Sequence, residues 1–191
     1  MPADLTIFTA NYMIFIEAVV ALGVVSYALY RGSRDEMLRW LLSAGVTGVV
    51  AEILTQIGGV LYRDPRPFAE GHYRPLIAHV ADNGFPSDHG LLAAFLVVCV
   101  LLTRVWLAVP ITATLAILVD WARVGAGIHH PIDVIGSAAF VAIGASIAVA
   151  ITPFLFHQLS PHLPRVLTGP DPVSYWQQPS HHVKHESELL L

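Results

Sequence analysis

Residues 134–156 read VIGSAAFVAIGASIAVAITPFLF, 23 consecutive positions without a charged side chain. As an α-helix this run is roughly 34 Å long at 1.5 Å per residue, enough to cross a hydrocarbon core of about 30 Å. Four earlier stretches are also long and apolar, each with one charged side chain: 11–30, 41–61, 90–106 and 108–122. The stretches 90–106 and 108–122 are separated only around Arg104 and Pro110, which suggests a tight helical hairpin, and the second of them is short for a full crossing. The whole chain agrees, with 55% apolar residues, 13% charged residues and a mean hydropathy of +0.63, outside the range of ordinary soluble domains. The expectation is an all-α, polytopic membrane helix bundle of about five spans over residues 1–156. Residues 157–191 are rich in proline and histidine, show no apolar period and are expected to form a disordered cytoplasmic tail.

The first ten residues carry no basic side chain, and the first apolar run lacks a clear cleavage site, so that run is expected to remain as an anchor. A single cysteine, Cys99, excludes an intrachain disulfide and a cysteine-based metal cluster, and is expected to be a packing residue. The formal net charge of -4 and the scattered basic residues leave no nucleic-acid footprint. Arg31, Arg34, Arg39 and Arg104 crowd the connections at one end of the spans, which the positive-inside rule makes cytoplasmic. With five crossings, loops 62–85 and 123–132 then fall together outside. Arg63, Arg66, Arg74 and Arg123 on that outer side run against the rule and suggest anion binding; in the reverse orientation they would merely obey it.

Three polar clusters interrupt the apolar pattern: Arg66-Pro67, Pro86-Ser87-Asp88-His89, and Arg123 followed by His129 and Asp133. Pro86 stands just before a helical run, so the backbone N–H groups of Ser87, Asp88 and His89 are expected at a helix start, where they can cradle phosphate. The alternative is an ordinary cap made by Ser87 or Asp88. Pro131 opens the last span and sets Asp133 in its first turn, within reach of His129. A carboxylate there fixes the imidazole tautomer and leaves the other ring nitrogen free to attack, although an acid at that position also suits the helix dipole. Arg123 is placed to grip phosphate bidentately or to snorkel to the interface. Arg66, between Pro65 and Pro67, has a stiff backbone that positions its guanidinium at low entropic cost.

In this order the three clusters resemble the type-2 phosphatidic acid phosphatase superfamily. Its pattern is Lys-(six residues)-Arg-Pro, then Pro-Ser-Gly-His, then Ser-Arg-(five residues)-His-(three residues)-Asp, and the likeness runs from Gly59 to Asp133. The strings Asp64-Pro65-Arg66-Pro67-Phe68 and Phe85-Pro86-Ser87-Asp88-His89 are similar to the bacitracin-resistance type of undecaprenyl pyrophosphate phosphatase. Three positions depart from the superfamily pattern. Gly59 stands where the lysine falls, with Arg63 one helical turn further on as a substitute; Asp88 replaces the glycine; Ala122 replaces the serine. The lost serine hydroxyl is worth roughly 1.5 to 3 kcal/mol of charge-assisted hydrogen bonding.

The resemblance implies a phosphatase of the bacterial plasma membrane, its site facing outward, acting on a polyprenyl diphosphate and recycling the lipid carrier of cell-wall synthesis. His129 would be the nucleophile, Asp133 its orienting carboxylate and His89 the general acid and then base. Arg66, Arg123, Ser87, Asp88 and Arg63 would bind the phosphate. No metal or other cofactor is required. Phosphatidic acid or phosphatidylglycerol phosphate is the alternative substrate, and a non-catalytic lipid-phosphate carrier the alternative class, though a mere binder has no need of both histidines. Besides lipids no partner is implied, and no nucleic acid. Glu17, Glu52 and Asp120 lie within spans and are expected as partners of the site's arginines or as a polar or proton path, with Gln56 available to satisfy Glu52. His72 and His79 would touch substrate, hold a metal or simply be solvated. His130 is the residue most easily confused with His129, and Tyr62, Phe68, Tyr73 and Phe85 are expected to anchor the loop in the interface. His181, His182 and His185 are candidates for adventitious metal binding.

Overall fold

The computed structural model describes residues 2–71 and 74–162. Five α-helices run alternately up and down: α1 Ala3–Arg31, α2 Arg34–Leu61, α3 Asp88–Leu102, α4 Ala108–Gly125 and α5 Pro131–Leu159, closed by a 3-10 turn Ser160–His162. α1, α2, α4 and α5 are long and apolar enough to cross a membrane. α3, at 15 residues, is about 22 Å long. The expected third span thus stops at Leu102 rather than residue 106, because Thr103 and Arg104 turn the chain: their N–H groups bond back to Val100 and Leu101 oxygens. α3 still traverses the bundle, from the loop end at Ser87 to the first turns of α2, where Trp40 Nε1 donates to Cys99 O at 2.9 Å. Cys99 is buried there as a packing residue. His72, Tyr73 and residues 163–191, with the tail histidines His181, His182 and His185, lie outside the described residues; 157–159 extend α5.

The burial pattern is that of a protein dissolved in lipid. Alanines and hydroxyl residues fill the interior, among them Ala10, Ala21, Ala93, Ala122, Ala148, Thr47, Thr112 and Ser137, while Phe15, Val19, Leu22, Ile135 and Phe154 face outward. Small side chains let helix backbones approach where no water drives association. At Gly144 of α5 an added Cβ would stand 2.7 Å from Thr47 O of α2. α2 and α5 pack along their lengths, from Gly58 against Phe140 to Ser43 hydrogen-bonded to Thr152 at 3.0 Å. α1 pairs with α4 through Ala10, Ala122 and Ala126, and α3 lies between the two pairs, touching all four other helices. Its first turn therefore meets the ends of α4 and α5, which puts all three polar clusters at one end of the bundle.

Candidate active site

α5 begins with Pro131 in its first turn, and the side chain of Asp133 reaches back to accept from the His130 N–H at 2.8 Å. The same oxygen, Oδ2, lies 3.1 Å from His129 Nδ1, and both side chains are buried, 0% and 3% exposed. On its other edge His129 Nε2 is 3.2 Å from Arg66 Nη1. A guanidinium can only donate, so Nε2 is the acceptor and Nδ1 carries the proton that Asp133 receives. The lone pair of Nε2 therefore faces the Arg66 guanidinium.

Arg66 is buried and held on two further sides, by Ile128 O at 2.9 Å and by Asp82 Oδ1 on its Nε at 2.5 Å. That hydrogen bond, with the guanidinium charge behind it, holds the Asp82 carboxyl below the usual carboxylate range. Asn83 ties down the loop that carries both. Its amide donates to Gly59 O, Tyr62 O and Phe85 O at 3.0, 3.2 and 2.9 Å, and its Oδ1 accepts from Asp64 N at 2.8 Å. Arg123, on the last turn of α4, is 5% exposed; one Nη donates weakly to Ala10 O at 3.4 Å and its Nε has no acceptor among the described residues. His89 lies within electrostatic range of Arg123, His129 and His79. His79 leans its ring edge-on towards His129, centroids 6.4 Å apart; burial, with Arg66 and Arg123 nearby, holds it below its ordinary 6.5.

Ser87 caps α3, its hydroxyl accepting from Gly90 N at 3.3 Å. Contrary to the expectation of a free donor, its own N–H donates to Asp133 O at 3.2 Å; Ser137 Oγ braces both carbonyls, at 2.7 Å to Ser87 and 2.9 Å to Asp133. The N–H groups of Asp88 and His89 find no acceptor among the described residues. Two N–H groups rather than three are thus left without an acceptor at this helix start, and Ser87 is buried.

Six expectations are corrected or narrowed. Glu52 is exposed on the outer face of α2 and accepts from Gln56 at 2.7 Å, away from the arginines. Arg63 is exposed and makes no hydrogen bond or ion pair among the described residues, and position 59, where the lysine is missing, faces Phe85 O and Asn83. Glu17, 0% exposed, has no partner for either oxygen among the described residues, and Asp120 packs an oxygen unpartnered among them against Gly90, so neither pairs with an arginine there. Phe85 is not an interfacial anchor: its ring fits against Gly136 and stacks edge-on between Tyr62 and Phe140. Phe68 likewise packs inward, on the Ala10 and Ile128 cluster.

Asp64, Asp82, Asn83 and Ser137 were not read from the sequence as parts of the site. Asp64 Oδ2 meets His130 Nδ1 at 3.1 Å, and burial together with the Asp133 charge raises its carboxyl above the usual range. His130 is thereby turned away from Arg66 and towards Asp64 and Glu70, which separates it from His129. Asp64, His130 and Asp133 bring one ligating atom each within 4.8 Å of one another. The available signal was the acidic residue flanking each Arg66 or Asn83 turn.

Buried arginines around a carboxylate-oriented imidazole at the end of a lipid-facing bundle are the geometry the three sequence clusters anticipated, and the PAP2 superfamily pattern matches residues 40–160. The chain belongs to the PAP2 superfamily. Among curated PAP2 relatives it is similar to undecaprenyl-diphosphatase BcrC of Bacillus subtilis (strain 168), with 29% identity over 152 residues, 78% of this chain and 74% of the relative. It is 35% identical to the bacitracin transport permease protein BcrC of Bacillus licheniformis over 153 residues, 78% and 68% of the two chains. The putative undecaprenyl-diphosphatase YbjG of Escherichia coli (strain K12) is 28% identical over 157 residues, 82% and 76%. No solved structure matches the chain significantly.

Proposed function

We propose that this PAP2 protein hydrolyses undecaprenyl diphosphate to undecaprenyl phosphate and inorganic phosphate through a phosphohistidine at His129. The observation that carries the reading is the continuous line Asp133, His129, Arg66, in which a proton on Nδ1 leaves the Nε2 lone pair beside a guanidinium. Nε2 attacks the terminal phosphorus, and the bond from phosphorus to the bridging oxygen breaks. The leaving lipid phosphate takes a proton from His89. His89 then removes a proton from water, the hydroxide attacks phosphorus, and the nitrogen-phosphorus bond breaks to restore His129. For attack, Arg66 must exchange His129 Nε2 for a phosphate oxygen. Arg66, Arg123 and the N–H groups of Asp88 and His89 then share the equatorial oxygens, where phosphoryl transfer most needs charge stabilisation.

The substrate's polyprenyl tail stays in lipid, which suits a site at the helix ends that is entered from the side. The positive-inside bias of the opposite end favours an outward-facing site in a bacterial plasma membrane, and the product would return to carrier use in cell-wall synthesis. The relative named a transport permease suggests a carrier instead, but transport without hydrolysis has no use for an oriented nucleophile and a second histidine. Phosphate release from undecaprenyl diphosphate by detergent-purified protein tests the reading, in chelator, with phosphatidic acid in parallel and His129→Ala beside wild type. Chelator-resistant release from the diphosphate that vanishes in the variant is expected. Release from phosphatidic acid alone would move the substrate, and release from neither would favour the carrier.

A further inference from the structure

At the end of the bundle opposite the catalytic cluster lies a cavity of about 820 Å³, bounded by the turn after α1, the start of α2 and the segment 101–106. Its wall joins two chemistries: guanidiniums from Arg31, Arg39 and Arg104, and apolar surface from residues such as Leu101 and Val149. Glu36, the carboxylate in this wall, is already committed to capping α2, accepting from Ser33 N at 2.7 Å and Ser33 Oγ at 2.9 Å. Among the described residues no carboxylate lies within ion-pair distance of the three arginines. The guanidinium carbon of Arg39 lies 3.9 Å from the Phe156 ring centroid, a cation–π contact that uses none of its N–H donors.

Arg104 supplies an independent observation. Its φ of +61° lies in the left-handed region, just past the end of α3, where glycine is the usual occupant because a Cβ is strained there. A long cationic side chain at such a position points to a use of that side chain.

We propose that this cavity binds an anionic glycerophospholipid, its phosphate held by Arg31, Arg39 and Arg104 and its acyl chains laid along Leu101 and Val149. Guanidiniums match phosphate oxygens in plane, and basic pockets between spanning helices suit anionic head groups. A zwitterionic head group would bring its own cation against three arginines. A free phosphate would satisfy the arginines and leave the apolar wall uncovered.

The test is native mass spectrometry and thermal unfolding of the full-length protein in detergent, with phosphatidylglycerol, phosphatidylethanolamine and glycerol 3-phosphate as probes. Phosphatidylglycerol should be retained at least about tenfold better than phosphatidylethanolamine, the ratio expected from one charge-assisted hydrogen bond or more, and glycerol 3-phosphate should not stabilise. Arg104→Gly removes the cation while relieving the backbone, so its lipid-free midpoint should be unchanged or higher while phosphatidylglycerol retention falls. Arg39→Gln should lose retention too, and Arg74→Ala, on the loop at the other end, should keep it. Equal retention of the two lipids, unchanged retention in Arg104→Gly and Arg39→Gln, or equal stabilisation by glycerol 3-phosphate would each overturn the proposal.

Discussion

His129 stands between one acceptor and one donor, and this decides which of its nitrogens carries the proton. Asp133→Asn keeps the shape but removes the preference for the Nδ1 proton, so kcat should fall by about 10³-fold with the fold intact, as rapid-quench kinetics beside circular dichroism would show. Arg123→Lys retains a charge but not the planar pair of donors. Its kcat/KM should drop by roughly 10 to 100-fold, the size of one lost charge-assisted hydrogen bond. His79 gives a pH signature. Its folded-state value lies below 6.5, so between the two values the unfolded chain binds more protons, and stability is lost as pH falls below 6.5. His79→Gln removes that loss, so its unfolding midpoint should fall less than that of wild type from about pH 7 to about pH 5.

Helix contacts translate into site geometry through α2 and α5, which carry the two sides of the loop end. Gly144 allows their backbones to meet, and a Cβ there would stand 2.7 Å from Thr47 O and 3.4 Å from Ala51 N. Gly144→Ala should cost about 1 to 3 kcal/mol of overpacking, read as a lower thermal midpoint in detergent. α3 works differently. Its shortness costs it little because it touches every other helix, and its first turn holds the Asp88 and His89 N–H groups, which find no acceptor among the described residues. Ser87→Ala removes the cap and the buried hydroxyl together, which costs about 1 kcal/mol and loosens the cradle.

Across the molecule, phosphate chemistry occupies one end and a basic cavity the other, separated by the full height of the bundle. Sidedness is open to direct measurement, because the native cysteine is buried and will not interfere. Arg63→Cys, exposed beside the site, should react with a membrane-impermeant maleimide on intact cells, whereas Arg104→Cys at the other end should react only after permeabilisation. The reverse pattern would place the site in the cytoplasm.

The helix count and the stretches that form the helices were legible in the amino-acid sequence, because lipid solvation demands long apolar runs and every backbone group satisfied within them. So were the polar clusters themselves, whose Arg66, His129 and Asp133 the fold brings into one hydrogen-bonded line. The end of α3 at Leu102 was missed, because the turn depends on hydrogen bonds from Thr103 and Arg104 and not on hydropathy. Glu52 and Glu17 looked alike in sequence, yet α2 turns one outward and α1 turns the other inward. Which face a carboxylate takes follows from helix rotation in the packed bundle. Asp64 and Asp82 became part of the site for the same reason: side chains 66 and 16 residues from their partners in the chain meet only when the loop folds back over the helix ends. Local composition therefore dictated what had to cross the membrane and what chemistry it carried, and long-range packing alone decided which histidine faces Arg66 and which donors remain free for a phosphate.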